Sequence, residues 1–393
     1  MNLVRLSELV EPVQSCEPGT VFSAVFPYID ITAIDRSTKM ILNPQSLSIH
    51  APPSRARQLV KSGDILVSTV RPKLNAVAKV NGEHEMAIAS TGFTVLRPRS
   101  ELLDSSYLFR WVQTPKFVGE MVRQATGASY PAVSDAIVKS SRIPLVELAE
   151  QKRIAAILDK SDAIRRKREH AIKLGDEFLR SLFLDMFGDP VRNPKGWPKL
   201  ELKTIADSRL GKMLDGKRQT GRYRRPYLRN ANVQWNKIIL DQVFEMDFDD
   251  DDREVFRLRC GDVLVCEGGR PGRAAIWRGE MKECYFQKAL HRVRPHPEML
   301  DPHFLLYSLM FLSERGGLKD FVTSATIAHL TGEKLKNIPL ALPPLADQKR
   351  FAAQSEMISR LLEKLKEVQS LELSLSMALS KRAFSGELQY GGR

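Results

Sequence analysis

Two carboxylate-x-lysine pairs, Glu150 with Lys152 and Asp347 with Lys349, are the first places in this 393-residue chain where side chains of nuclease type lie close together. A nuclease needs both groups to face one metal-bound phosphate. Both pairs lie in stretches with helical spacing, where residues i and i+2 point away from each other, so neither pair can share a metal. Asp189 with Glu201 and Lys203 is better spaced, but it falls in the Pro/Gly-rich connector GDPVRNPKGWPKLELK and has no counterpart in the rest of a chain that repeats itself. Glu201 and Lys203 read better as the exposed face of a first strand. Methyl transfer to adenine needs an Asn/Asp-Pro-Pro-aromatic loop, and the Pro-Pro pairs, in HAPPSR and ALPPLA, are not one. Gly268 to Gly272 lacks the Gly-Lys-Ser/Thr end of a phosphate loop. The histidines are scattered, and no Ser/His/Asp grouping is evident. Cys16, Cys260, Cys266 and Cys284 have no CxxC spacing and no neighbouring His, so they read as free thiols with neither zinc nor disulfide. We therefore expect no catalytic residue, no metal and no cofactor in this chain.

Binding is the chemistry that remains. The net charge is +13. The stretch 147–188 holds nine Lys/Arg and eight Asp/Glu, and 345–388 holds seven and six, so +11 lies outside them and forms an electrostatic footprint for a polyanion. No run approaches the roughly 18 apolar residues of a membrane helix, and MNLVRLSELVEPVQ lacks a basic region followed by an apolar one. A cytoplasmic location, with no membrane partner, is the expectation.

The elements that must position these charges come twice. IPLVELAEQKRIAAILD starts at Ile143, and IPLALPPLADQKRFAAQSE starts at Ile338. The same offset of about 197 aligns Pro27-Tyr28 with Pro226-Tyr227, GDILV from Gly63 with GDVLV from Gly261, and Arg97-Pro98 with Arg294-Pro295. It also aligns Leu103-Asp104 with Leu300-Asp301, Ala125-Thr126 with Ala325-Thr326, and Phe187 with Phe384. Seven matches in register make a tandem duplication whose period is too long for a solenoid. Each globular half reads as mixed α/β. In the first, DILVSTV, AVAKV and FTVLRP are β-branched runs cut by Gly and Pro, followed by the helical SSYLFRWVQTPKFVGEMV.

The joints open two long helical stretches. Ile157, Ser161, Ile164, Ala171, Gly175, Phe178 and Leu182 form one heptad-like stripe, and Phe351, Ile358, Leu361, Leu365, Val368, Leu375 and Leu379 the other. Each is about 40 residues, or roughly 60 Å of helix. Pro144, Pro343 and Pro344 fit a first helical turn, and Glu150 or Asp347 adds a favourable charge there. Each stripe needs a partner, and antiparallel pairing of the two copies supplies it. The expected organisation is a first globular domain (1–144), a central helix (145–188), a second globular domain (189–343), a C-terminal helix (344–388) and a short tail (389–393).

This order, with ELAEQKRIAAILD, PLADQKRF, the paired GD(I/V)LV strands and the closing RAFSGEL, resembles the specificity subunit of type I restriction-modification enzymes over nearly the whole chain. The resemblance implies two target-recognition domains, each reading one half of a split double-stranded DNA site, on paired helices that act as a ruler. It further implies that the helices dock two methyltransferase subunits, that restriction subunits join them, and that S-adenosylmethionine, ATP and Mg belong to those partners. A non-catalytic coiled-coil scaffold with basic, polyanion-binding domains is the alternative; the unlike loops of the two halves favour the reader.

Candidate DNA-binding residues in the first domain are Arg71 and Lys73 of STVRPKLN, Thr126, Ser129 and Tyr130 of the following loop, and Lys139 and Arg142 on a short basic helix. In the second they are Arg222, Tyr223, Arg224 and Arg225 of GRYRRPYLRN, Arg270 and Arg273 of EGGRPGR, Thr326 and His329, and Lys334 and Lys336 on the equivalent helix. ATGASYP and ATIAHLT align and differ in content, which places base readout there. Gln151, Lys152, Arg153, Gln348, Lys349 and Arg350 are assigned to seating the helices or docking a partner.

Overall fold

The computed structural model describes residues 2–216, 219–323 and 328–387, with the side chains of Ser370 and Leu373 outside that description. The chain divides into two compact units, residues 1–169 with 367–393, and residues 170–366. The division cuts across both long helices, so each unit combines a globular part with half of each helix.

In the first unit, strands Ile65–Ser68 and Phe93–Pro98 pair antiparallel at the centre of a sheet completed by Val10–Glu11 and Val77–Lys79. A second sheet orders Gln45–Ser48, Val25–Ile29, Ile88–Ser90 and Ala56–Leu59. The second unit repeats both sheets. Val263–Cys266 and Leu290–Pro295 lie between Ala206–Leu210 and Ala274–Ile276, and Arg224–Leu228 lies between Phe244–Asp247 and Tyr285–Phe286. The GD(I/V)LV strand is buried on both faces, and its period of two divides it between cores. Ile65 and Val67 join the core on the helical side while Leu66 joins the opposite one. Val263 and Val265 divide from Leu264 and Cys266 in the same way.

The repeated motifs prove to be internal fasteners. Arg97 clasps Asp64 with both Nε (2.9 Å) and Nη2 (2.7 Å), and Arg294 clasps Asp262 at 2.7 and 2.8 Å. Both aspartates are 1% exposed, so removing either arginine would leave a buried, unpaired charge. Gln151, wholly buried, accepts the Asp104 N–H at 2.8 Å and donates to the carbonyls of Leu102 and Val146, both at 2.9 Å. The Asp104 carboxylate is left to cap helix Ser105–Trp111 through the Tyr107 N–H. Gln348 copies this on Asp301, Met299 and Pro343 at 2.9, 3.1 and 2.9 Å, and Asp301 caps helix Pro302–Glu314. The Leu-Asp and Gln-Lys-Arg matches are thus two halves of one joint.

The long helices run Leu148–Phe187 and Leu345–Ser385. Pro144 lies in strand Arg142–Leu145, and Pro343 and Pro344 precede the second helix, so the prolines end the incoming segments and do not occupy a first turn. The basic helix expected before the first joint stops at Ser140, and Arg142 pairs opposite Arg5 on a two-stranded ribbon. SSYLFRWVQTPKFVGEMV is two helices, because Thr114 caps a new one at Pro115.

Within each unit the helix halves are antiparallel. In the first, Ala383 and Phe384 pack with Ile154, Ala155 and Leu158, and Arg168 pairs with Glu372. In the second, Phe183 and Phe187 meet Phe351 at ring distances of 5.4 and 5.7 Å, and a Cβ on Gly175 would come within 2.6 Å of Leu362. The buried face shares Phe351 and Gly175 with the expected stripes and departs from them elsewhere. Ile154, Ala155, Leu158, Leu179, Phe183, Ala352, Ser355 and Leu362 are buried, whereas Ile164, Phe178, Leu361, Val368 and Leu375 are 41–58% exposed. Each helix carries two apolar stripes, and the one that contains the buried glutamine turns inward. Gln348→Ala strands one N–H and two carbonyls, so urea denaturation should show a loss of about 2–4 kcal/mol; Gln348→Glu, which cannot donate, should lose a similar amount. A change under about 0.5 kcal/mol in both would contradict the joint.

Candidate nucleic-acid interface

Each unit brings an Arg-Pro loop against a short hairpin. In the first unit, Thr126 and Ala132 exchange both backbone hydrogen bonds at 2.9 Å, closing the hairpin 126–132. Gly127 turns it with a φ of +99°, where a Cβ would meet the Tyr130 carbonyl at 2.9 Å. Val70 bridges to Ala132, the Arg71 N–H donates to the Pro131 carbonyl at 2.7 Å, and Val133 N–H donates to Thr69. Arg71, Lys73, Ser129 and Tyr130 are therefore gathered on one exposed edge. The Arg71 guanidinium lies 4.6 Å from the Tyr130 ring centre, a cation–π contact. Lys139 is half-exposed and paired with Asp135 at 2.8 Å, and Arg142 is exposed on its ribbon.

In the second unit, Thr323 and His329 exchange backbone hydrogen bonds at 2.9 and 3.2 Å, and Gly268 bridges to His329 as Val70 does to Ala132. The match between the halves here is Thr126 with Thr323, three residues away from the alignment on Ala-Thr; the repeated dipeptide misled because the closing residues differ in type. Thr326 lies outside the described residues. Arg270 is exposed. Arg273 turns inward, donating to Asn230 Oδ1 (3.0 Å) and to Gln234 (3.2 Å), while Asn230 holds the Gly268 carbonyl at 2.7 Å. Arg273 is thus a brace for the loop that carries Arg270. Lys334 and Lys336 are half-buried on helix Gly332–Lys336.

The basic run of the second unit is fixed by an acid. Asp247, 5% exposed, accepts from the Thr220 and Gly221 N–H groups, the Thr220 hydroxyl and the Tyr223 N–H, and its own N–H donates to Gln219. Arg222 and Arg224 are exposed beside this loop, Tyr223 is 41% exposed, and Arg225 lies 3.6 Å from Glu283. Sequence reasoning did not find Asp247, nor Arg229, which lies 3.8 Å over the Phe244 ring. The signal for Asp247 was an acidic run, EMDFDDDD, in a basic domain.

At the joints, Gln151 and Gln348 are consumed by their own unit. Lys152, Arg153, Lys349 and Arg350 are exposed, with Arg153 on Glu150 and Arg350 on Asp347. Among the described residues no group of His, Cys, Asp or Glu could hold a metal, and no helix is long and apolar enough to cross a membrane.

A family model described as the type I restriction modification DNA specificity domain matches residues 16–174 and again 194–373. The chain belongs to this family. It is similar to a putative type I restriction enzyme MjaX specificity subunit of Methanocaldococcus jannaschii, 24% identical over 79% of this chain and 75% of the relative. The MjaVIII specificity subunit of the same organism is 24% identical over 72% and 71%. A chain solved in work on "complex assembly and conformational transition of the type I R-M system" shares 26% identity, 98% coverage of both chains and a TM-score of 0.60. The S subunit from M. genitalium, at 12% identity and 0.60 over 98% and 96%, shares the fold. The protein is accordingly a type I restriction-modification specificity subunit that recognises DNA sequence, built from two specificity domains with long helices.

Four hydrogen bonds hold the Asp247 carboxyl below the usual carboxylate range, against the opposing effect of burial. A lowered folded-state value contributes stability above the ordinary value near 4, and that contribution is lost as pH falls through the lowered one. Protection factors at residues 220–223, corrected for intrinsic exchange, should therefore fall below about pH 4, and Asp247→Asn should lower them at neutral pH. Unchanged protection in the variant would contradict the anchor.

Proposed function

We propose that the Arg-Pro loop and hairpin edge of each unit reads one half of a bipartite double-stranded DNA site, and that the bases between the halves go unread. The observation that carries this is the recurrence of one backbone arrangement with different side chains. Thr126 and Ala132 frame Tyr130 and Arg71, while Thr323 and His329 frame the loop of Arg270. A shared frame with unlike contents suits two readers of different sequence. Lys73, Arg222 and Arg224 contribute phosphate contacts, which make affinity salt-dependent, while the loop tips contribute base-edge contacts.

The chain carries no catalysis of its own in this reading. It acts in the cytoplasm and directs two methyltransferase subunits and the restriction subunits, which hold S-adenosylmethionine, ATP and Mg. The outward apolar stripes of the helices suit such docking: Ile164, Leu371 and Leu375 in the first unit, and Phe178, Met357 and Leu361 in the second, are 43–70% exposed. The first unit adds a groove of about 760 Å³ beside Trp111, Leu158 and Phe384. It opens where Ser376 and Ser380 occupy the repeat positions that Leu179 and Phe183 fill in the second unit. Selection of bound sequences from a random duplex library, with the chain alone and with a methyltransferase partner, should return two short motifs at a fixed spacing. Uniform, salt-sensitive binding without a motif would contradict the reading.

A further inference from the structure

We infer that Arg71, stacked on Tyr130, reads a guanine in the half-site recognised by the first unit. The inference rests on the DNA-reading proposal above and goes beyond it by naming the residue and the base.

The first ground is conformational. Arg71 has φ 49° and ψ 60°, the left-handed region that an arginine adopts reluctantly because its Cβ crowds the backbone. The bridges Val70 to Ala132 and Gly268 to His329 identify its counterpart in the second unit as Gly269, whose φ is likewise positive at +72°. Glycine takes that conformation without penalty. The repeat therefore shows that the fold needs a left-handed residue at this point and that glycine serves. At position 71 the strained choice is retained, and strain of this kind collects where a side chain has a task.

The second ground is what the side chain does. Arg71 is exposed, and among the described residues no carboxylate pairs with it, so it does not repay the strain by fastening the fold. Its N–H is fixed to the Pro131 carbonyl at 2.7 Å, and its guanidinium is stacked 4.6 Å from the centre of the Tyr130 ring, itself 68% exposed. The loop is pinned again where Lys39 Nζ donates to the Asn75 carbonyl at 2.6 Å. Stacking on an aromatic face restrains the guanidinium plane and leaves its donor edge open. A planar, pre-positioned pair of N–H donors matches the O6 and N7 acceptors of guanine in the major groove, the commonest specific arginine contact to DNA.

The test compares the full-length chain with Arg71→Gly, Arg71→Lys and Tyr130→Phe by selection from a random duplex library and by titration over a range of salt concentrations. Arg71→Gly relieves the backbone, so its thermal midpoint should stay level or rise, which separates lost reading from lost folding. It should lose about 10- to 100-fold of guanine preference at one position of the first half-site and leave the second half-site intact. Arg71→Lys should lose most of the same preference, and Tyr130→Phe, which keeps the ring, should retain it. An unchanged motif overturns the inference. So does a loss of affinity equal for all sequences with a shallower salt dependence, which marks a phosphate contact. Loss of an A·T preference in place of a guanine also overturns it. A wild-type chain that selects no motif overturns the DNA-reading proposal, and this inference with it.

Discussion

One glutamine in each half sets how a reading domain meets the helices. Gln151 and Gln348 are wholly buried and spend their amide on three backbone groups from two segments, the turn before a globular helix and the entry to a long one. A buried amide with every hydrogen bond made fixes an orientation, because any tilt strands a donor or acceptor in a dry site. That constraint chooses which apolar stripe of each helix turns inward. It brings Phe351 onto Phe183 and Phe187, and it turns Leu361 and Leu375 outward to water.

The fold was largely legible because duplication exposes what is constrained. Most matches between halves have a contact behind them: Asp64 with Arg97, Asp104 with Gln151, Phe187 on Phe304 and Phe384 on Tyr107. Helix register was less legible. A heptad pattern with two apolar stripes has two frames, and the deciding residue was a glutamine that hydropathy alone assigns to the surface. The basic helix of the first half was overextended to Arg142 because charge, not strand pairing, guided the boundary.

The candidate site was legible in outline. Sequence named the Arg-Pro loops and the segments facing them, and the structure brings Arg71, Lys73, Ser129 and Tyr130 to one edge. It could not show that Arg273 braces Asn230, since an inward and an outward arginine look alike in a one-dimensional chain. Nor could it show that an aspartate organises the basic run. The two readers also differ in charge: residues 11–28 contain no Lys or Arg, whereas the equivalent 210–227 contain six. In the second unit that basic segment is offset by the acidic run EMDFDDDD, so the difference is in where the charge lies.

In the proposed function, reading and spacing are separate properties, one held by the loops and the other by the helices. Removing one heptad from the middle of each long helix keeps both joints and both readers, and shortens each helix by about 10 Å. Selection from a random duplex library should then return the same two half-sites with the unread gap shorter by about three base pairs. An unchanged gap, with both half-sites still bound, would contradict the account.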